Sequence, residues 1–164
     1  FITNTFIRQL RELDLSFNFI EFIHQNDFRN LNSLESLYLS NNPIKSFARS
    51  SFSSSKLSYL GLNSLFLDHN FTLDMNDFSV NLISLDLSNN NLNQIRFRQL
   101  RKLTSLKLNN IKSTNISFHL QNFLTPILEY IDLSNFNISF NRNLQFVFSK
   151  MERLQYLVMA NVNL

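Results

Sequence analysis

Three histidines, twelve acidic residues and no cysteine are the raw material this sequence offers for catalysis or metal binding. Their spacing builds neither. His24, His69 and His119 stand in unrelated settings, where a lone histidine is ordinarily a surface or hydrogen-bonded residue. Asp68-His69 with Asp74 and Asp77 gathers potential ligands, but not at the intervals of a zinc or calcium site. One glycine in the chain leaves little with which to form a phosphate cradle or a nucleophile elbow. The absence of cysteine excludes disulfides, thiol chemistry and thiolate-bound zinc. The expectation is therefore no enzyme, no metal and no cofactor within this chain.

Residue types suited to recognition are better placed. Tyr38, Tyr59, Tyr130 and Tyr156 are all the tyrosines of the chain, and each lies within a short run of alternating apolar and polar residues. Glu12, Asp14, Asp86, Lys107 and Asp132 lie in equivalent runs. The run Leu10–Ile20 (LRELDLSFNFI) gives the pattern: Leu-x-x-Leu-x-Leu-x-x-Asn-x-Ile. It returns at Leu34 (LESLYLSNNPI) and Leu82 (LISLDLSNNNL), and in weaker form at Leu57, Leu103, Leu128 and Leu154. Intervals between starts run from 21 to 26 residues. Such a frame is the core of a leucine-rich repeat. Alternation with period 2 makes a short strand with one face buried. A single strand cannot bury enough to offset its ordering entropy, so each coil needs the next to complete its core. The expected fold is an α/β-type repeat solenoid, a leucine-rich-repeat horseshoe. A parallel β-sheet lies on its concave face, and irregular or short-helical returns form the convex side. Residues 1–164 read as one such segment of about seven repeats, without terminal caps, and are expected to be a fragment of a larger protein that aggregates or dimerises in isolation.

In this frame the ninth position calls for an asparagine whose amide serves the backbone leaving the strand. Asn18, Asn42 and Asn90 occupy it. Leu65, Ile111, Phe136 and Val162 replace it, which predicts weaker or differently curved turns there. Asn63, Asn110, Asn135, Asn137, Asn161 and Asn163 are near but out of register.

The repeats near 24 residues, the LDLS runs at Leu13–Ser16 and Leu85–Ser88, and IDLS at Ile131–Ser134 resemble the leucine-rich repeats of animal extracellular receptors, of the Toll-like ectodomain and adhesion-protein type. Phe28, Phe97 and Phe148, each six residues before a repeat start, strengthen that resemblance. In that family such phenylalanines stack as a spine behind the sheet. The resemblance implies a curved, non-catalytic solenoid that binds a protein or pathogen-derived ligand and admits receptor dimerisation. It also implies an extracellular or cell-surface location, with any membrane attachment supplied by flanking segments. An intracellular scaffold for protein–protein interaction is the alternative, which the lack of cysteine permits; a larger protein with its enzymatic domain elsewhere is a third.

Third, fifth and seventh positions of each frame are expected to line the concave face. The ligand-binding candidates are Glu12, Asp14, Tyr38, Tyr59, Asp86, Lys107, Tyr130, Asp132 and Tyr156: tyrosine anchors with acidic neighbours, suited to a partner carrying basic groups. Tyrosine also favours strands without any ligand. Arg96, Arg98, Arg101 and Lys102 form the densest basic patch, on a return, where a solvated convex surface is the simpler account. A formal charge of +3 does not call for nucleic acid. Asn70, Asn115 and Asn137 open N-glycosylation acceptor patterns, at a frequency no higher than composition alone would give.

Overall fold

The computed structural model describes residues 5–52, 56–67, 72–74, 78–92, 94–96, 100–112, 126–136, 145–146 and 148–162. A short 3-10 helix, Thr5–Gln9, precedes the first coil. Eleven short strands follow among the described residues: β1 (Glu12–Asp14), β2 (Phe22–Ile23), β3 (Ser36–Tyr38), β4 (Ser46–Phe47), β5 (Tyr59–Gly61), β6 (Thr72–Asp74), β7 (Ser84–Asp86), β8 (Gln94–Arg96), β9 (Ser105–Lys107), β10 (Tyr130–Asp132) and β11 (Tyr156–Val158). Seven of them form one parallel sheet in the order β1-β3-β5-β7-β9-β10-β11. Each of these seven covers the third to fifth positions of its frame, so equivalent residues stand beside one another: Leu13 pairs with Leu37, Leu37 with Leu60 and Leu60 with Leu85. The chain is a parallel-sheet solenoid with little helix. Its returns also carry extended segments, where β2 pairs with β4 and β6 with β8.

Leucine recurs at the first, fourth and sixth positions because those side chains point into the coil. Leu37, Leu39, Leu60, Leu62, Leu85, Leu87, Leu106 and Leu108 are buried together in one continuous core. Leu157, in the same row but on β11 at the edge of the sheet, is 43% exposed. Behind the sheet Phe52 is stacked on Phe28, with ring centroids 6.2 Å apart, and meets Phe47 edge-on at 5.1 Å and Phe78 at 5.6 Å. The aromatic column thus runs through Phe28, Phe52 and Phe78, which precede their next repeat start by six, five and four residues. A fixed six-residue offset finds the first and misses the others, because the drifting lengths of the returns are absorbed between spine and strand. Phe97 lies outside the described residues, and Phe148 is half-buried against the core.

The strands are short, and the backbone ladder is longer than they are. Glu35 and Ser36 N–H both donate to Arg11 O, Leu15 N–H to Tyr38 O, and Phe17 N–H to Ser40 O, at 2.8, 2.9, 2.9 and 2.9 Å. To keep that ladder through the strand exit, the eighth position of all seven frames takes a left-handed backbone, with φ between 54° and 57° at Phe17, Asn41, Ser64, Asn89, Asn110, Asn135 and Asn161. This accounts for Asn110, Asn135 and Asn161, which stand one place before the frame's asparagine. Asparagine tolerates a conformation that most L-residues pay for. Its amides also bond from coil to coil, Asn110 Nδ2 to Asn89 Oδ1 at 2.9 Å and Asn161 Nδ2 to Asn135 Oδ1 at 3.0 Å.

Phe17 breaks this row, with a large ring at positive φ that is 80% exposed. The ring recovers little by burial, so Phe17→Asn is expected to stabilise the chain by about 1 kcal/mol, the order of the left-handed penalty it relieves. Urea unfolding of the two proteins checks this; an unchanged or lower midpoint would refute it.

Candidate functional site

Two rows of side chains project from the concave side of the sheet. The third-position row is Glu12, Ser36, Tyr59, Ser84, Ser105, Tyr130 and Tyr156, and the fifth-position row is Asp14, Tyr38, Gly61, Asp86, Lys107, Asp132 and Val158. These rows hold all nine candidates. Three seventh-position side chains do not join them. Ser40, Ser88 and Ser134 are buried at the strand exit. Ser40 Oγ donates to Asn63 Oδ1, Ser88 Oγ to Asn109 Oδ1 at 2.6 Å, and Ser134 Oγ accepts from Ala160 N–H at 3.2 Å. The strands end at the fifth residue, so the alternation that would have turned the seventh outward has already stopped.

The tyrosines form two pairs. Tyr38 and Tyr59 lie diagonally across β3 and β5 with centroids 4.8 Å apart and planes tilted by 39°. Tyr130 and Tyr156 face each other across β10 and β11 at 6.3 Å and 42°. The chain's only glycine explains the closeness of the first pair. A Cβ on Gly61 would stand 3.4 Å from Tyr59 Cε1 and 3.5 Å from both Tyr38 Cδ1 and the Tyr59 hydroxyl oxygen. Both rings therefore rest over the glycine. Burial, then the Asp86 carboxylate, then Tyr38 push the Tyr59 phenol above its ordinary range. A phenol raised in this way favours the fold fully below its unfolded value of about 10, and that contribution is lost as pH rises through the raised one. At neutral pH Tyr59 is uncharged.

The fifth-position acids have a local task as well. Asp14, Asp86 and Asp132 accept from the N–H two residues on, in Ser16, Ser88 and Ser134, at 2.8, 3.0 and 2.9 Å. This is the physical content of the repeated Asp-Leu-Ser: the carboxylate caps the strand exit. The Ser16 N–H, and after it the Ser16 hydroxyl, hold Asp14 below the usual carboxylate range. Asp86 differs from the other two in its second oxygen, which faces Lys107 Nζ at 3.7 Å.

Other candidates are not brought together. His24 is exposed on its return, its N–H bonded to Asp27 Oδ2 at 2.7 Å. Asp68, His69, Asp77, His119 and Arg98 lie outside the described residues, as do Asn70, Asn115 and Asn137. Arg101 and Lys102 are exposed, and Lys102 Nζ donates to Asn81 Oδ1 at 2.5 Å. Among the described residues no three His, Cys, Asp or Glu converge as a metal site, and no helix is long and apolar enough to cross a membrane. The feature missed from the sequence is a pair of bare aromatics beyond the strand exits: Phe19 and Phe66, both at the tenth frame position, are 93% and 76% exposed. Their shared register was the available signal.

Two family models, both described as leucine rich repeat, match the chain, over residues 8–70 and 81–103. No curated protein sequence matches it. Among solved structures it is similar to the leucine-rich repeat domain of APL1B, at 26% identity and a TM-score of 0.71, covering 94% of this chain and 43% of that one. It is similar to TLR13, solved as a TLR13-ssRNA13 complex, at 25% identity and a TM-score of 0.58, covering 94% of this chain and 25% of that one. Toll, in the Toll–Spatzle complex of Drosophila, shares the fold at 22% identity and a TM-score of 0.57, covering 94% and 24%. The chain spans less than half the length of each. Repeats of this kind generally serve as non-enzymatic surfaces for recognising proteins or other ligands.

Proposed function

Since the chain is a leucine-rich-repeat protein whose solenoid resembles Toll-like ectodomains, we propose that its concave sheet face is the recognition surface of an extracellular receptor of the innate-immune or cell-adhesion type, and that its ligand is a protein. The observation that carries this reading is the pair of tyrosine couples on that face, separated by small residues at Ser84 and Ser105. Tyrosine gives large contact area at low entropic cost, with a polar tip to orient a partner. The core beneath does not need these rings, since the apolar rows of the frame fill it without them.

Two measurements test the two halves of the proposal. A photo-crosslinking amino acid in place of Ser105 or Tyr156 in the full-length protein is expected to give a defined protein adduct on the cell surface, and the same group at the exposed Arg101 is not. Adducts from Arg101 alone would refute concave recognition. For location, the native mass is expected to fall on removal of N-linked glycans, with glycan-bearing peptides at Asn70, Asn115 or Asn137. No fall, in protein lacking a signal peptide, would instead favour an intracellular scaffold.

A further inference from the structure

We infer that Tyr38, Tyr59 and Asp86 form a subsite for one arginine side chain of the protein ligand, a refinement that rests on concave recognition. The strand register puts Gly61 directly between Tyr38 and Asp86. The two rings lie over that glycine, and an aromatic face carries partial negative charge that attracts a cation. Asp86 is unusually withdrawn for a surface acid, with only 14% of its side chain exposed. One of its oxygens is committed to the fold, accepting from Ser88 N–H at 3.0 Å. The other faces the loosely held Lys107 at 3.7 Å, whose side chain is 46% exposed.

A carboxylate largely removed from water, with a distant and mobile counter-ion, gains most from a cation that approaches closely. A guanidinium fits this place better than an ammonium. It is planar and weakly hydrated, so it can lie against a tyrosine ring while one edge donates to the Asp86 oxygen that faces Lys107. Lys107 would then be displaced into solvent at little cost, because its own side chain is already 46% exposed and it stands 3.7 Å from the carboxylate, too far for a close hydrogen bond. The second tyrosine couple lacks this arrangement. Its rings are farther apart, and the fifth-position residues around it are Lys107, Asp132 and Val158, with no glycine to seat them.

The test uses N-acetyl-arginine methylamide as probe and the neutral citrulline analogue as control, titrated against the full chain while the tyrosine ring resonances are followed by NMR. The arginine probe is expected to shift Tyr38 and Tyr59 and leave Tyr130 and Tyr156 in place, and the citrulline probe to shift none. Asp86→Asn keeps an oxygen for Ser88 and is expected to weaken the probe about tenfold, as loss of a charge-assisted bond implies. Lys107→Gln removes the competing cation and is expected to tighten it about threefold. No shift at Tyr38 and Tyr59, an equal response to citrulline, or weaker binding by Lys107→Gln would overturn the assignment. If the probe fails while crosslinked ligand still forms at Tyr156, the arginine subsite falls and concave recognition stands. If no concave position gives an adduct, the broader reading falls with it.

Discussion

Asn90→Ala is expected to destabilise the solenoid by about 3–5 kcal/mol, the cost of leaving several buried backbone groups unpaired at once. The Asn90 side chain is buried, and its amide nitrogen donates to Leu62 O at 2.7 Å, Leu87 O at 2.8 Å and Ser88 O at 3.3 Å. Its Oδ1 accepts from Leu65 N–H at 2.9 Å. Half of this set belongs to the preceding coil, the one whose ninth position holds leucine. Asn90 therefore serves two coils and keeps the turn at Leu65 buried, although that turn departs from its neighbours in backbone, with a second left-handed residue at Phe66 (φ 55°) beside Ser64. Asn42 does the same for the first coil, through Leu15 O at 2.9 Å and Ile20 N–H at 3.0 Å. Asn18 is the internal control. It has the same register and bonds Leu15 O and Ser16 O, but it is exposed, so water replaces its amide and Asn18→Ala is expected to cost less than about 1 kcal/mol. Urea unfolding of the two variants, with hydrogen exchange at Leu65 and Leu87, measures the contrast. Equal losses would mean that burial does not set the value of this amide.

The contrast between Asn18 and Asn90 marks how far the sequence could be read. Spacing located the leucine rows, the strands and the frame asparagines, because each of these is set by distance along one coil. Period 2 likewise located the nine concave candidates. Contacts between coils were not legible, since they join residues more than twenty positions apart through side-chain geometry. That Asn90 reaches back to Leu65, that the eighth position is left-handed in every frame, and that Phe52 rather than a fixed offset defines the aromatic column all belong to this class. The seventh-position serines fail for a different reason. The alternation that placed them outward holds only while the chain is extended, and the chain bends after the fifth residue.

The double use of the Asp-Leu-Ser carboxylates bears on how the concave face should be dissected. Alanine at Asp14, Asp86 or Asp132 removes a ligand candidate and a cap together, so lost binding would not separate recognition from a loosened strand exit. Asparagine keeps the oxygen that accepts from the serine N–H and removes only the charge. The tyrosines carry no such ambiguity at Tyr156, which is exposed. Tyr38 and Tyr59 pack on each other over Gly61, so a change at either moves both.

Phe52→Ala is expected to be the other costly substitution, at about 3–5 kcal/mol, the range for deleting a buried aromatic ring. Phe52 is fully buried and touches three other rings. It also supplies the bridge to Phe78 that links the second return to the third. The resulting cavity cannot collapse easily, because Phe28 and Phe78 are held from both sides by their own coils. Phe148, only partly buried against the core, is expected to lose about half as much or less on the same change. The two losses differ in consequence as well as size. Phe52 stands behind the coils that carry Tyr38 and Tyr59, so its loss should raise hydrogen exchange at Leu37 and Leu60 while Leu106 and Ile131 stay protected. In a solenoid each coil rests on its neighbours alone, so a local void loosens the nearest coils first. Uniform loss of protection along all seven strands would show instead that the array unfolds as one unit, and that the spine distributes its stability over the whole sheet.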